Sequence, residues 1–568
     1  MRGGSKAIDS LILCQYIVTE ISMLRFVVVS CFLNLSIASA HLHASETKGR
    51  PNIIVILIDD QEKTSIGAYG GKTYTPNLDR MAREGMIFKH AYVSSSVCTP
   101  SRYSFLTGRY AGNSSSKLYQ NACGGIATQG FPSFNVALEA DGMNVANVLR
   151  QAGYVTGFVG KFHLGSSDDF PEFHQRKEGL RRIPKNGAKD NAKTAALFRH
   201  NELVMRRYLQ KLGFTWAKHI YPTNLQAPYN KHNPEWTIQA ALEFIEQNKD
   251  RPFYLHCCTT LLHGGEGSWR KSMDYPLVSG QGPLAVLPKV MTPRKTLLKT
   301  LTAKGFDSNS PTAGEAWIDD AVGAILRKLQ KFGIDDNTLV VFVADHGRDA
   351  KASLFAVGGT CVPCIMRWPS GIKGGVVCEE FIQNIDMAPT FFELAKAKVP
   401  SGYKVDGRSL RPLFSSGKAV NWRTHLYFEM GTARAVRTKE WSYIAVRYPK
   451  ETIRAIKTTK FERLPRVMSY IGRMGIGTRG ADHPGFFDAD QLYDLHKDAK
   501  EMRNLSLKPK FASKLVAMRQ LLTKHLKSIG RPFGEFIPGS NAAPPGQVDE
   551  QISQVKKLRI KGKTVTVP

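Results

Sequence analysis

Short runs of apolar residues alternate with segments of helical periodicity along most of this chain. The apolar runs are continuous and rich in β-branched and aromatic residues, and they cover 52–58, 154–159, 253–258 and 339–343. Such runs are typical of strands that are buried on both faces of a parallel sheet. Apolar positions spaced three or four residues apart predict helices over 144–152, 235–247 and 315–332. This alternation predicts an α/β fold with helices on both faces of a large sheet.

Polar residues that can do chemistry follow each of the four predicted strands. In chain order they are Asp59-Asp60, then Lys161 and His163, then His263, and last Asp345-His346. Because sites in open α/β sheets form at the carboxyl ends of strands, we expect these residues to share one site. Two adjacent carboxylates at the end of a buried strand repel each other, and a bound cation would remove that cost.

A cysteine begins a further predicted helix, in the string SVCTPSR at 96–102. Pro100 suits the first turn of a helix, whose free N–H groups would point toward Cys98. Arg102 lies one turn further on the same side. A reactive group at Cys98 would therefore lie beside a helix N-terminus and a guanidinium, which is a suitable place for an anion.

The later part of the chain predicts a smaller α+β domain. Residues 433–446 indicate a β-hairpin, and 511–526 indicate a closing helix. We therefore predict a large domain over 41–421 that holds the site, and a C-terminal subdomain over 422–540. The Pro-, Gly- and Lys-rich residues 541–568 predict a flexible basic tail.

Charge is the most unusual feature of the composition. The chain of 568 residues carries 78 Lys and Arg against 48 Asp and Glu, a formal charge of +30. Such an excess indicates an anionic partner or surface. The chain shows no aromatic–basic recognition pattern and no zinc-finger spacing, so we expect no nucleic-acid partner.

Three local expectations follow from the same patterns. The basic segment 166–218 predicts an irregular insertion or a solvated surface, with a grip on anionic substrate as the alternative. Residues 266–312 predict a loop-rich region. On the helix over 315–332, the apolar face leaves Asp319 and Asp320 to be exposed.

The first 40 residues resemble an export signal. Met23-Leu24-Arg25 is a short charged start, Phe26–Ile37 is mostly apolar, and Ala38-Ser39-Ala40 is an A-x-A cleavage pattern. We predict a leader and signal peptide over 1–40, with Met23 as the true start, and a periplasmic or secreted protein. The apolar run is too short for a stable membrane span, although an uncleaved anchor is the alternative.

Six cysteines remain after the leader and Cys98 are set aside. They are Cys123, Cys257, Cys258, Cys361, Cys364 and Cys378. An even number in an exported chain permits disulfides, but the sequence leaves their pairing open.

The string C-x-P-S-R that begins at Cys98, followed by Leu106-Thr107-Gly108-Arg109, resembles the signature of the sulfatase family, in its bacterial exported type. The string G-K-F-H-L-G at 160–165 is similar to a second family motif. The resemblance covers about 50–505. It implies the alkaline-phosphatase-like fold, with a large, mixed but mostly parallel sheet between helices. It also implies a sulfuric ester hydrolase in which a formylglycine-generating enzyme converts Cys98 to 3-oxoalanine.

The same resemblance implies a divalent metal. Its ligands would be Asp59, Asp60, Asp345, His346 and an oxygen of the modified Cys98. This oxygen-rich set suits calcium, with magnesium as the alternative.

The remaining family roles also transfer position by position. The aldehyde would be hydrated to a geminal diol, which Arg102 would stabilise, and one hydroxyl of the diol would attack sulfur. Lys161 and Lys351 would bind the sulfate oxygens as charge develops. His263, together with Lys351, would protonate the leaving alcohol, and His163 would take the proton whose removal lets the covalent sulfate collapse.

We expect a sulfated carbohydrate or polysaccharide as substrate, because the protein is predicted to be exported and basic. Two alternatives stay open at this point. One is a phosphodiester or phosphonate monoester hydrolase of the same superfamily. The other is a non-catalytic relative that binds sulfated glycans, suggested by departures from the family pattern at Val357, Cys361 and His263-Gly264.

Overall fold

The computed structural model describes residues 49–125, 127–165, 179–184, 191–264, 268–310, 313–472, 482–539 and 541–560. The strands before residue 400 are β1 (Asn52–Ile58), β2 (Met86–Tyr92), β3 (Val155–Lys161), β4 (Trp216–Tyr221), β5 (Phe253–Cys258), β6 (Val278–Ser279), β7 (Gly282–Pro283), β8 (Thr338–Ala344), β9 (Cys364–Arg367) and β10 (Val376–Gln383).

Within the described ranges, eight of these strands form one sheet in the order β10-β2-β9-β8-β1-β5-β3-β4. Strand β9 is antiparallel to both of its neighbours, and the other adjacent strands are parallel. Strands β6 and β7 form a separate two-stranded ribbon. The predicted α/β class, with a mixed but mostly parallel sheet, is confirmed.

Helices cover both faces of this sheet. They are α1 (Pro76–Arg83), α2 (Cys98–Thr107), α3 (Lys117–Cys123), α4 (Val145–Gln151), α5 (Asn191–Lys211), α6 (Pro234–Asn248), α7 (Ser268–Met273), α8 (Arg294–Ala303), α9 (Gly314–Lys331) and α10 (Met387–Leu394). On β1, Ile53 and Val55 pack into the core that contains α4 and α10, whereas Ile54 and Ile56 pack into the core that contains α6 and α9. Burial on both faces explains why β1 is a continuous apolar run.

A smaller antiparallel sheet follows, as the sequence predicts. Its strands are β11 (His425–Met430), β12 (Ala433–Thr438), β13 (Trp441–Val446) and β14 (Asp490–Asp494), paired in chain order. Its helices are α11 (Lys450–Thr458), α12 (Leu464–Val467), α13 (Ala512–Ile529) and α14 (Asp549–Ile560). Strands β12 and β13 form the predicted hairpin. The boundaries at 41, 422 and 540 stay predictions.

Part of the segment 541–568, which we predicted to be a flexible tail, is a packed helix. Residues 541–560 include α14, whose Ile552 and Val555 are buried in the same core as Phe486. Apolar residues three and four positions apart (Val548, Ile552, Val555) give this polar segment one side that packs. The composition does not reveal this apolar side, because the other residues of the segment are mostly charged or polar.

The insertion after β3 is also more regular than its composition suggests. Helix α5 and strand β4 lie within the basic segment that we expected to be irregular, and α7 and α8 lie within the region that we expected to be loop-rich. The sequence of β4, WAKHIY, mixes polar and apolar residues because β4 is the edge strand of the sheet. It therefore lacks the apolar run of a central strand.

The expectation that Asp319 and Asp320 are exposed is wrong. Asp319 is 2% exposed and accepts hydrogen bonds from the backbone N–H groups of Asn77 and Leu78. Asp320 is 8% exposed and accepts from Thr292. Both carboxylates are buried because they satisfy donors of neighbouring segments, which helical periodicity alone does not reveal.

The predicted leader over 1–40 lies outside the described residues. Among the residues that are described, no helix is long and apolar enough to cross a membrane. The seven cysteines in these ranges are all unpaired thiols.

Candidate active site

The site lies at the carboxyl ends of β3, β5, β1 and β8, which are neighbours in the sheet. Since these strands are parallel, the residues that follow them meet at one edge. Asp59-Asp60 follows β1, His263 follows β5, and Asp345-His346 follows β8. The structure thus brings the residues predicted from the four strand ends together with Cys98, Arg102 and Lys351. Their chemical roles stay predictions.

Cys98 is the first residue of α2 and is 1% exposed. Its Sγ lies 3.2 Å from Nε2 of His346 and 3.6 Å from Oδ1 of Asp59. The Nζ atoms of Lys161 and Lys351 lie 3.4 Å and 3.9 Å away. Burial and Asp59 oppose ionisation, but Lys161, Lys351 and His346 lower the pKa of the thiol to about 7. Residue 98 is therefore held in a position that favours a negative charge.

Three carboxylates and a histidine gather near Cys98. Ligand atoms of Asp59, Cys98, Asp345 and His346 lie within 4.8 Å of one another, and Asp59, Asp60 and His263 form an overlapping group. Oδ1 of Asp345 is buried and has no hydrogen-bond partner. A divalent cation fits this donor set, because it would neutralise carboxylates that otherwise repel each other in a dry site.

The pKa values around this group reflect its excess of negative charge. Burial, followed by the charge of Asp59, raises the pKa of Asp345 to about 6. Burial disfavours a charged His346, but Asp345 and Cys98 together raise its pKa to about 9. Both groups thus bind protons more readily than usual. This is expected of metal ligands, because a proton supplies some of the positive charge that a bound cation would bring.

Buried positive side chains pair with these carboxylates. Lys161 forms a buried ion pair with Asp59, and Lys351 lies 2.8 Å from Oδ1 of Asp60. Burial raises the pKa of Asp60, but Lys351 and other cations outweigh burial and lower it to about 2. Arg102 donates from Nε to Oδ2 of Asp345 at 2.9 Å and from Nη1 to the carbonyl of Lys161 at 2.7 Å. Arg102 therefore links the ends of β8 and β3 near Cys98.

The backbone is strained at this site. Asp60, His163 and Ala352 have φ of 56°, 55° and 62°, in the left-handed region that non-glycine residues rarely adopt. Ser96 helps to fix Ala352, because its carbonyl accepts from the N–H of Ala352 at 3.1 Å. The side chain of Ser96 accepts from the N–H of Ser353, also at 3.1 Å. The segment before Cys98 thereby orients the loop that carries Lys351.

His163 is buried and neutral. Its carbonyl accepts from the hydroxyl of Thr99 at 3.0 Å, and its Nδ1 has no hydrogen-bond partner. Burial, followed by the charges of Lys161 and Arg102, holds its pKa well below the usual value. A neutral imidazole with an unpaired nitrogen can accept a proton.

His263 lies where a cleft of about 420 Å³ meets the charged cluster. Its Nε2 is 3.1 Å from Nδ2 of Asn224, and its carbonyl is 3.0 Å from Nε2 of His232. Burial, followed by the charges of Lys351 and Lys161, holds the pKa of His263 well below its usual value. Sequence reasoning missed both Asn224 and His232. The signal that could have revealed Asn224 is its place three residues after β4, a strand that we did not predict.

Comparisons with known proteins agree with this geometry. A sequence profile described as Sulfatase matches residues 51–397, and one described as N-sulphoglucosamine sulphohydrolase, C-terminal, matches residues 354–452. The chain is 29% identical over 422 residues to N-acetylgalactosamine-6-sulfatase of Rattus norvegicus, covering 68% of this chain and 70% of that protein. It is 26% identical over 505 residues to an ulvan-active sulfatase of Formosa agariphila, covering 87% of this chain and 82% of that protein.

Solved structures show the same fold. One protein, solved in complex with its substrate D-glucosamine-2-N,6-O-disulfate, is 19% identical to this chain and has a TM-score of 0.54. The match covers 84% of this chain and 98% of that protein. A family profile over more than half of the chain, the shared fold and the cluster around Cys98 lead to one conclusion. This chain belongs to the sulfatase family and is a sulfuric ester hydrolase.

Proposed function

We propose that this protein removes sulfate esters from a sulfated carbohydrate, using a divalent metal and a formylglycine made from Cys98. The observation that carries the proposal is the position of Cys98. Its Sγ lies within 4 Å of the Nζ atoms of two lysines and of side-chain atoms of Asp59 and His346. A sulfate group needs cations around its oxygens, and a nucleophile made at residue 98 needs a metal.

Asp59, Asp60, Asp345 and His346 would hold the metal, with an oxygen of the modified residue 98. The unpaired Oδ1 of Asp345 and the three buried carboxylates support a hard cation. We propose calcium, with magnesium as the alternative, because carboxylate oxygens suit both. When bound at these residues, the metal would supply Lewis acidity that makes a hydroxyl of the hydrated aldehyde at residue 98 a better nucleophile toward sulfur.

The side chains of the protein then carry out the remaining steps. Lys161 and Lys351 bind the sulfate oxygens and stabilise the charge that develops on them. His263 donates a proton to the leaving alcohol, and neutral His163 accepts one when the covalent sulfate is released. Arg102, whose guanidinium is held by a hydrogen bond to Asp345, stabilises the hydrated form of residue 98.

A carbohydrate substrate is supported by the cleft beside His263. The residues that line it include Asn224, Gln226, Asn230, Lys231 and Lys271, with the aromatic ring of Tyr229. Amides and an aromatic ring are the groups that bind hydroxyls and the apolar face of a sugar ring, and the lysines attract anionic substituents. The names of the relatives and the net charge of +30 point the same way.

We also propose that the protein is bacterial, exported to the periplasm or secreted, and matured by a formylglycine-generating enzyme. The A-x-A pattern at 38–40 supports export, and the relative from Formosa agariphila supports a bacterial source. Maturation would have to precede catalysis, because a plain thiol cannot expel the covalent sulfate.

The first test is the mass of the proteolytic peptide that contains Cys98, from protein exported by a host that makes formylglycine. We expect a peptide lighter by the conversion of thiol to aldehyde. An unmodified cysteine, alongside a control sulfatase that is converted, would contradict the proposal.

The second test is release of inorganic sulfate from a broad panel of sulfated mono- and polysaccharides. We expect turnover of at least one glycan, and none by the Cys98→Ala variant. Turnover of small aryl sulfates with no glycan would contradict the carbohydrate substrate. Faster turnover of aryl phosphodiesters than of aryl sulfates would favour the phosphodiesterase alternative.

A further inference from the structure

We infer that Asn224 and His232 are positioning residues that hold His263 in one orientation for proton transfer to the leaving alcohol. The inference deepens the proposed function and rests on the role proposed there for His263. It concerns two residues outside the metal and sulfate positions. One contacts the ring of His263, and the other contacts its backbone.

His232 fixes the backbone turn that presents His263. The N–H of His263 donates to the carbonyl of Thr260 at 3.0 Å, which closes a turn over 260–263. The ring of His232 bridges the two ends of this turn, with Nδ1 3.0 Å from the hydroxyl of Thr260 and Nε2 3.0 Å from the carbonyl of His263. Since a carbonyl only accepts, Nε2 of His232 carries the proton and Nδ1 accepts from Thr260.

The His232 ring that forms this bridge keeps one protonation state. His232 is 6% exposed, and burial lowers its pKa to about 4, so the ring is neutral at ordinary pH. Its own backbone N–H donates to the hydroxyl of Ser272 at 2.9 Å, which fixes the segment that carries it. The backbone of the turn is also anchored to the end of β1, because the N–H of Leu262 donates to the carbonyl of Asp59 at 2.6 Å and the N–H of Asp59 donates to the carbonyl of Leu261 at 3.0 Å. His232 adds the side-chain link between the first and last residues of this anchored turn.

Asn224 fixes the ring itself. Its Nδ2 lies 3.1 Å from Nε2 of His263 and donates to it. In the resting, neutral ring Nε2 therefore accepts and the proton is on Nδ1. The acid is the imidazolium, which forms when Nε2 takes a proton from solvent and the Asn224 amide turns to accept that N–H through Oδ1. The imidazolium then gives its Nδ1 proton to the leaving alkoxide and returns to the neutral ring. Asn224 follows β4, whose end is hydrogen-bonded to the segment around His163, because the N–H of Phe162 donates to the carbonyl of Tyr221. The amide is thus anchored to the same sheet edge as the rest of the site.

The test is a leaving-group series on Asn224→Ala and His232→Gln. A mispositioned acid slows only those esters whose alcohol needs protonation. We expect kcat for alkyl and sugar sulfates to fall by about 10- to 100-fold, within the range of general acid catalysis. With 4-nitrophenyl sulfate, whose leaving group needs no proton, we expect a change below about threefold. Adding either substitution to His263→Ala should lower kcat no further.

His219→Gln is the matched control. His219 is also buried, its pKa is also lowered to about 4, and it bonds to the carbonyl of Trp236 away from His263. We expect the same small effect on both ester classes in this variant. If His232→Gln fails to fold, Thr260→Val removes the hydroxyl that donates to His232 with little change of shape. The predicted selectivity should then appear in that variant, with a smaller loss.

Equal losses on both ester classes in the Asn224 and Thr260 variants would overturn the positioning role. So would wild-type rates in both. The His263→Ala variant separates this failure from that of the proposed function. If His263→Ala shows no leaving-group dependence, His263 is not the acid, and the proposed role fails together with the inference. If His263→Ala shows leaving-group dependence but the Asn224 and Thr260 variants do not, the inference alone is overturned.

Discussion

Charged side chains of both signs surround Cys98 and decide which chemical forms of residue 98 are stable. The Nζ atoms of Lys161 and Lys351 lie within 4 Å of its Sγ, as do Oδ1 of Asp59 and Nε2 of His346. Each lysine also pairs with an aspartate, so its charge is held in place before a substrate binds. Such preorganised charges stabilise a transition state without the cost of reorganising solvent.

Lys351→Ala should therefore reduce kcat/KM for a sulfate ester by roughly 10²- to 10³-fold, because it removes a buried cation near the sulfate oxygens. Steady-state sulfate release measures this. Lys218→Ala is the control. Lys218 lies on strand β4 and pairs with Glu243 of helix α6, away from Cys98. A loss below about threefold in Lys351→Ala would show that the charge of Lys351 does not act on the reaction.

Metal affinity should depend on pH through His346 and Asp345. Without metal, their pKa values are raised to about 9 and about 6, so each holds a proton below those values. A cation must displace these protons. The apparent calcium affinity should fall about tenfold per pH unit between about pH 9 and pH 6, and more steeply below about pH 6.

Isothermal titration of calcium into chelator-treated protein, across this pH range, checks the prediction. Asp345→Asn should remove the steeper part below about pH 6, because that residue no longer titrates. It should also lower the pH at which the affinity begins to fall, because the charge of Asp345 raises the pKa of His346. The same affinity at every pH would mean that neither group gives up a proton to the metal.

Helices in this protein are joined by buried carboxylates as well as by apolar contacts. Asp319 on α9 accepts from the N–H groups of Asn77 and Leu78, at 3.2 Å and 2.8 Å, and from Nδ2 of Asn77 at 2.7 Å. It thus satisfies free donors at the N-terminus of α1, although it comes from another helix. The N-cap residue Thr75 makes no side-chain bond of this kind.

Asp319→Ala should lower the free energy of unfolding by about 2–3 kcal/mol, because it leaves buried N–H groups of α1 without a partner. Urea unfolding followed by circular dichroism measures the change. The exposed Asp307→Ala, which loses a bond to the N–H of Asn309, should change stability by less than about 0.5 kcal/mol. Equal effects of the two substitutions would refute a special role for Asp319.

The two sheets share one buried cluster. It contains Tyr92, Val97, Leu354 and Phe355 from the part with the larger sheet, and Phe428, Ile444, Tyr470, Phe486 and Tyr493 from the part with the smaller sheet. Glu501 adds polar links, since it accepts from the N–H of Ala356 at 2.7 Å and from Arg437. Glu501 is fully buried, so these links lie in the interior. The loop after Lys351 therefore depends on the C-terminal part for its packing.

A chain that ends at residue 421 should accordingly be insoluble, because its half of the shared cluster would face water. Expression with the native signal, followed by size-exclusion chromatography, tests this. Separate expression of residues 422–568 in the same cell should restore some soluble protein. A soluble, monodisperse truncated protein with cooperative unfolding would instead show that the predicted boundary separates autonomous domains.

How much could be read from the sequence differs among these features. The central strands were predictable because burial on both faces demands an unbroken apolar run, as in β1 and β8. The residues at their ends were predictable because parallel strands bring their carboxyl ends to one edge. Edge strand β4 and the buried Asp319 were not, since an edge strand needs fewer apolar residues and a buried acid is recognised only by its donors.

The sequence by itself therefore determined the α/β class, the family and the residues that gather around Cys98. Each of these depends on local periodicity or on short motifs. Only the tertiary structure decided that Asn224 and His232 contact His263, that Ser96 orients the loop of Lys351, and that α14 packs onto the C-terminal core. Those contacts join segments far apart in the chain. Their partners follow from how the folded elements meet in space, and no local pattern encodes that.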